Sequence, residues 1–222
     1  MPKPRPERIA LSHAQRRLWF VDQFQEEGDP GYHIPLVFRL PYEVDADALR
    51  LAMADVVARH ESLRTVFPDD DGDGDDGPWQ HILRPGEREP ELTVAVRSGT
   101  EAERLLAAEV RRPFDITGDL PLRGTLLRPA QGRETTLLLV LHHIAADGWS
   151  LTSLCRDLSR AYRARLAGTA PEFAPLPLQY ADYAVWHREL LGDPGDPGSV
   201  LSGQLRYWER RLSGLPEEVS PP

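Results

Sequence analysis

The stretch Leu137-Leu138-Leu139-Val140-Leu141, running into His142-His143-Ile144-Ala145-Ala146-Asp147-Gly148-Trp149-Ser150, constrains the fold of this chain more than any other. A short unbroken apolar run bounded by polar sequence describes a strand buried on both faces, since a strand with one face in water alternates. Asp147 and Gly148 suit a backbone reversal. Ser150 is then placed to cap an amphipathic helix over residues 151–166. Buried strand, histidine pair, turn and helix follow in that order, which leaves an imidazole at the mouth of a sheet, where open sheets keep their sites.

The two histidines differ. Neighbours on a strand point to opposite faces, so His142 and His143 cannot grip one metal while the strand stays regular. The chain has one cysteine and no helical His-x-x-x-His or Cys-x-x-Cys spacing, so no metal is expected. A neutral imidazole is the usual general base near neutral pH, and Asp147 is close enough in sequence to shape its surroundings. Spacing alone leaves two readings open, this one and a core histidine beside a capping turn.

The remaining elements alternate. Ser12-x-x-Gln15 reads as a capping box opening a helix to about residue 24, and residues 34–40 as a strand. Asp45 can cap a helix through Arg59, whose Ala48, Leu49, Ala52, Met53, Val56 and Val57 recur at helical spacing and predict a core stripe. Residues 63–67 read as a strand and 79–83 as its return. Between them Asp69-x-Asp71-x-Asp73-Gly74 imitates the start of a calcium loop, but Gln80 stands where a bidentate Glu is needed and Pro78 intrudes, so a solvated hairpin loop is expected. Strands over 92–96 and 122–127 flank a helix opened by Thr100-x-x-Glu103. Gly168 is a helix stop, 170–177 a Pro-rich linker, and two helices follow. Cys155, within the helix expected after the histidines, is assigned no chemistry. The fold class predicted is α/β (α+β with a mixed sheet).

At 222 residues the chain can build one substantial core and part of a second. Its net charge of -9 argues against nucleic acid and anionic membrane as partners. The single cysteine fits a reducing compartment, residues 1–10 lack the apolar stretch of a signal peptide, and no run approaches membrane-spanning length; a cytoplasmic protein is expected.

Several segments carry a family resemblance. His142-His143-Ile144-Ala145-Ala146-Asp147-Gly148 resembles the HHxxxDG signature of nonribosomal peptide synthetase condensation domains, and Arg59-His60-Glu61-Ser62-Leu63-Arg64-Thr65-Val66-Phe67 their RHExLRTxF motif. Leu11 to Phe20 resembles the opening motif. Tyr32-His33-Ile34-Pro35 resembles Tyr-Asn-Ile-Pro, with His33 as a departure. Arg112-Pro113-Phe114-Asp115 resembles the RPFDL-type stretch, and Tyr180 to Trp186 the YxDYAxW motif.

The resemblance implies a chloramphenicol acetyltransferase-like two-layer sandwich, one lobe of the usual two, because a full domain of the family is about twice this length. Residues 1–168 would form the N-terminal lobe, and 169–222 the linker and first helices of a truncated C-terminal lobe. The implied reaction is amide formation between a donor acyl or peptidyl thioester and an acceptor aminoacyl thioester. His143 would orient or deprotonate the amine, with His142 beside it. Gly148 would offer its backbone N–H to the oxyanion, and Trp149 and Ser150 would meet substrate. Arg64 would support the site by pairing with Asp147. No cofactor is expected on this chain, since 4'-phosphopantetheine would arrive on donor and acceptor carrier proteins. The absent lobe and an adjacent adenylation domain are further partners. The spelling most resembles domains joining a D-configured donor to an L-configured acceptor. A non-catalytic docking fragment, or a relative among epimerisation domains and other acyltransferases, is the alternative.

Overall fold

The computed structural model describes residues 4–24, 30–69, 77–129 and 134–215. Along the chain run β1 (Ile9–Ala10), α1 (His13–Asp22), β2 (His33–Leu40), α2 (Ala46–Arg59), a 3-10 turn (Glu61–Arg64), β3 (Thr65–Val66), β4 (Trp79–Ile82), β5 (Glu91–Val96) and α3 (Gly99–Arg111). They are followed by β6 (Leu122–Arg128), β7 (Thr135–His142), α4 (Gly148–Leu166), α5 (Tyr180–Leu191) and α6 (Val200–Leu212). The main sheet has the order β2-β7-β6-β5, and a small one the order β1-β4-β3. β7 is antiparallel to both neighbours while β5 lies parallel to β6, so the sheet is mixed.

β7 is buried on both faces, as its composition requires. Leu137, Leu139 and Leu141 join Met53 and Val56 of α2 and Leu154 and Leu158 of α4 in one apolar cluster. Leu138 and Val140 point the other way, into a cluster with Leu11, Phe67 and Phe114, against which Leu18 and Trp19 of α1 and Leu106 and Val110 of α3 pack. Each side chain so enclosed contributes roughly 1.5–3 kcal/mol by leaving water.

Asp45 caps α2 by accepting the amides of Asp47 and Ala48, and the expected stripe from Ala48 to Val57 is buried throughout. α2 crosses close over the sheet at Gly124. A Cβ there would lie 3.0 Å from Leu92 Cδ1 and 3.1 Å from Met53 Cε, so this strand position has room only for glycine unless both side chains shift.

Some local expectations are corrected. Residues 63–67 are not a continuous strand: a 3-10 turn precedes the two-residue β3, because Thr65 Oγ1 donates to the Glu61 carbonyl and the Glu61 amide is drawn to Gln179 Oε1. α3 begins at Gly99 after Ser98 rather than being capped from Thr100. α1 ends at Asp22. β3 and β4 pair antiparallel, while most of the acidic loop between them, residues 70–76, lies outside the described residues.

The opening motif is structural. Ser12 and Gln15 form a reciprocal capping box, both are buried, and Gln15 Nε2 donates to Gln80 Oε1. α5 is fastened to this region. Ser12 Oγ and Tyr180 Oη are 2.9 Å apart, Arg5 bonds both Asp182 and Glu61, and Arg188 donates to the Leu11 carbonyl. Among the described residues no helix is long and apolar enough to cross a membrane, and no three or more His, Cys, Asp or Glu are grouped to hold a metal ion.

Candidate active site

The strand period separates the histidines as it must. His142, the last residue of β7, is fully buried, while His143 is exposed. The Ile144 amide donates to His142 Nδ1 at 3.2 Å, so the neutral ring carries its proton on Nε2. That nitrogen faces Asp22 Oδ1 at 3.3 Å, a charge-contact distance, but without the alignment of a hydrogen bond. The His142 amide donates to the Pro121 carbonyl and the His143 amide to the Tyr32 carbonyl, at 3.1 and 2.8 Å. The strand end is thus held from both sides, and the His143 side chain stands free of the sheet.

The turn delivers the chain to α4, and here an expectation is corrected. Asp147, not Ser150, is the N-cap; the helix starts at Gly148, and Ser150 occupies the third position. Asp147 Oδ1 accepts the Ser150 amide at 2.9 Å and its hydroxyl at 2.6 Å. The Asp147 amide donates back to Ser150 Oγ at 3.2 Å. These bonds hold the Asp147 carboxyl below the usual aspartate range, the Ser150 hydroxyl contributing most, and the charge of His143 acts in the same direction. The Ser150 hydroxyl is therefore tied to the helix start, its proton given to Asp147 and one lone pair taken by the Asp147 amide.

Gly148 has no left-handed backbone, and a Cβ there would meet nothing within 4 Å. Its N–H belongs to the first turn of α4, where amides lack intrahelical acceptors and the helix dipole is positive. Trp149 beside it is 92% exposed, which is unusual for the largest apolar side chain.

Arg64 is placed elsewhere, and the pair expected between Arg64 and Asp147 is not formed. Arg64 Nη1 donates to the Leu83 carbonyl, and Nη2 lies 3.6 Å from Glu61 Oε1. The reason is local: the 3-10 turn aims the guanidinium at the end of β4, while the Asp147 carboxylate is already occupied at the head of α4. Burial lowers the Arg64 pKa, Glu61 opposing it and Arg5 adding to it.

The residue that does tie this motif to α4 escaped sequence reasoning. Asp157, buried among the apolar residues of α4, accepts from Arg59 Nε and bonds His60 Nε2, each at 2.9 Å. Burial disfavours its charge, yet bonds from His60, Arg59 and Arg156 hold its carboxyl below the usual range. A carboxylate one turn from the apolar Leu154 and Ala161, on the buried face, was the available signal.

The condensation domain family model matches residues 6–222, which is nearly the whole chain. The chain belongs to the condensation domain family. Over 221 residues it is 51% identical to CymA of Salinispora arenicola, described as a probable non-canonical nonribosomal peptide synthetase, covering all of this chain and 3% of that protein. Among solved structures it is similar to the X-domain from teicoplanin biosynthesis in its complex with OxyB, at 38% identity and a TM-score of 0.84, over 99% of this chain and 46% of that one. The first condensation domain of the calcium-dependent antibiotic synthetase shares the fold at a TM-score of 0.74 and 22% identity, over 97% of this chain and 50% of that one. This condensation-family chain, with its chloramphenicol acetyltransferase-like fold, thus spans about half the length of its solved neighbours.

Proposed function

We propose that this chain is the histidine-bearing lobe of a condensation domain that joins a donor acyl or peptidyl thioester to an acceptor aminoacyl thioester. The observation that carries this reading is the exposed His143 at the end of the buried interior strand β7, beside the capped N-terminus of α4. The acceptor amine attacks the donor thioester carbonyl, and His143 orients that amine or takes its proton. The Gly148 N–H is offered to the tetrahedral oxyanion, and the exposed Trp149 flanks the bound substrates. Collapse of the intermediate forms the amide and expels the donor carrier's phosphopantetheine thiolate, which takes up a proton. Arg64 supports the site indirectly, through β4 rather than through Asp147.

Donor and acceptor carrier proteins, a second lobe completing the channel and a neighbouring adenylation domain are the proposed partners. Residues 169–222 are proposed as the passage into that lobe, in a cytoplasmic synthetase. The motif spelling favours a D-configured donor and an L-configured acceptor. A second reading, a module that docks another protein without turnover, is favoured by the likeness to the X-domain solved with OxyB.

Single-turnover mass spectrometry with loaded donor and acceptor carriers distinguishes the two. Amide product is expected when the second lobe is supplied and is lost in His143→Ala; equal product from the variant removes His143 from the mechanism. D- and L-donors run in parallel decide the stereochemical preference.

A further inference from the structure

The position corresponding to His33 sits in a motif that otherwise resembles Tyr-Asn-Ile-Pro, and the structure gives the histidine a definite task. His33 is the first residue of β2 and lies directly opposite His142 in the register. β2 is an edge strand, so its end has a single neighbour to hold it. The next contact outward is the His143 amide donating to the Tyr32 carbonyl at 2.8 Å, beyond the last paired residues of both strands. Strand ends fray first, and the bond that the His143 amide makes is therefore only as fixed as the chain at Tyr32 and His33.

The side chain of His33 supplies the fixing. Its Nδ1–H donates to the Val110 carbonyl at 2.6 Å, anchoring the start of β2 to the last turn of α3. The ring also stands edge-on to Phe114 and to His142, with centroids 5.2 and 6.1 Å away. Phe114 in turn carries Arg123 over its face at 3.8 Å. The half-buried imidazole is thus gripped by α3, the Phe114 segment and β7 at once.

We propose that His33 is a positioning residue for His143, pinning the end of β2 to α3 so that the Tyr32 carbonyl holds the His143 backbone at the head of the turn. This rests on His143 being the reacting imidazole. Asparagine carries its amide nitrogen on Cγ, as histidine carries Nδ1, so His33→Asn keeps the donor while His33→Leu removes it.

The test follows amide hydrogen exchange by NMR in the full 222-residue chain. His33→Leu is expected to speed exchange at His143 by about tenfold or more while Leu138 to Leu141 stay protected, and His33→Asn to remain within about twofold of the parent. Under multiple turnover, with the second lobe supplied, His33→Leu should lower kcat with KM for the loaded carriers unchanged, and His33→Asn should restore it. His33→Ala serves the same comparison if the leucine variant does not fold. Unchanged exchange at His143, or a rise spread evenly over β7, overturns the proposal, as does unchanged kcat in a variant whose exchange has risen. Exchange needs no reaction, so a parent protein that makes no amide sinks the condensation reading while the pinning of His143 is still decided.

Discussion

Asp147 and Ser150 close a reciprocal pair at the head of α4, each side chain accepting the other residue's amide. The pair fixes the first turn of the helix directly after the segment that carries His143, and it does so without a cation. A short turn between strand and helix therefore has its geometry set by hydrogen bonds made within four residues of sequence.

Asp147→Ala should cost about 1 kcal/mol, the usual loss for an N-cap, and Asp147→Asn only a few tenths, because asparagine still accepts. Urea unfolding at neutral pH measures both. The folded carboxyl titrates lower than the unfolded one, so this contribution is present above the ordinary aspartate range and disappears as pH falls through the folded value. A loss of roughly 3 kcal/mol or more for the alanine variant would point instead to a buried charge partner.

The two histidines should answer substitution in opposite ways. His142→Ala empties a fully enclosed site and strips the Ile144 amide of its acceptor, at a cost of roughly 2–4 kcal/mol. His143→Ala removes an exposed side chain and should stay within about 0.5 kcal/mol of the parent. Calorimetry on the two variants side by side tests this, and equal losses would refute the division of roles.

Asp157→Ala leaves Arg59 and His60 without the carboxylate between them. Both partners are largely enclosed, with side-chain exposures of 12% and 20%, so the cost should reach about 3 kcal/mol. Asp157→Asn, which still accepts from Arg59, should lose less. Denaturation of both variants checks the order; a larger loss for asparagine than for alanine would contradict it.

Much of this was legible in the residues. The unbroken apolar run marked β7 as central, the stripe from Ala48 to Val57 gave the buried face of α2, and the two-residue period separated His142 from His143. What failed was either ambiguous locally or decided far away in sequence. Asp and Ser are equally good N-caps, so the sequence could not tell that Asp147 takes the cap and Ser150 completes the box. Residues 61–64 turn rather than extend because Gln179, from the far side of the Pro-rich segment, captures the Glu61 amide. The Arg64 pair with Asp147 came from resemblance alone, and the 3-10 turn directs the side chain elsewhere. The role of Asp157 needs α2 and α4 side by side, which no local pattern specifies.

Acid should weaken the fold already in the pH range where histidines titrate. His13, His33 and His60 all have pKa values below the ordinary histidine value of 6.5, in each case chiefly because burial disfavours the cation. The unfolded chain then binds more protons than the native one, so stability falls as pH drops through the unfolded value. The urea midpoint should decrease between about pH 7 and pH 5, and His60→Gln should flatten that slope. A midpoint constant or rising over this range would contradict the burial of these rings.

The helices after the Pro-rich segment leave an aromatic surface in water. Trp186 of α5 and Tyr207, Trp208 and Leu212 of α6 are each about half exposed, and Leu190 and Leu205 add to them. A soluble domain seldom leaves so much large apolar surface without a partner. The chain on its own should therefore bind an apolar fluorescent dye and associate as its concentration rises, and Trp208→Glu should reduce both effects. If this surface meets the second lobe, supplying that lobe should abolish dye binding and protect Trp208 from quenching by acrylamide. Dye binding unchanged by the second lobe would assign the surface to a different partner, whereas a chain that neither binds dye nor associates would show that the exposed rings are too dispersed to act as one patch.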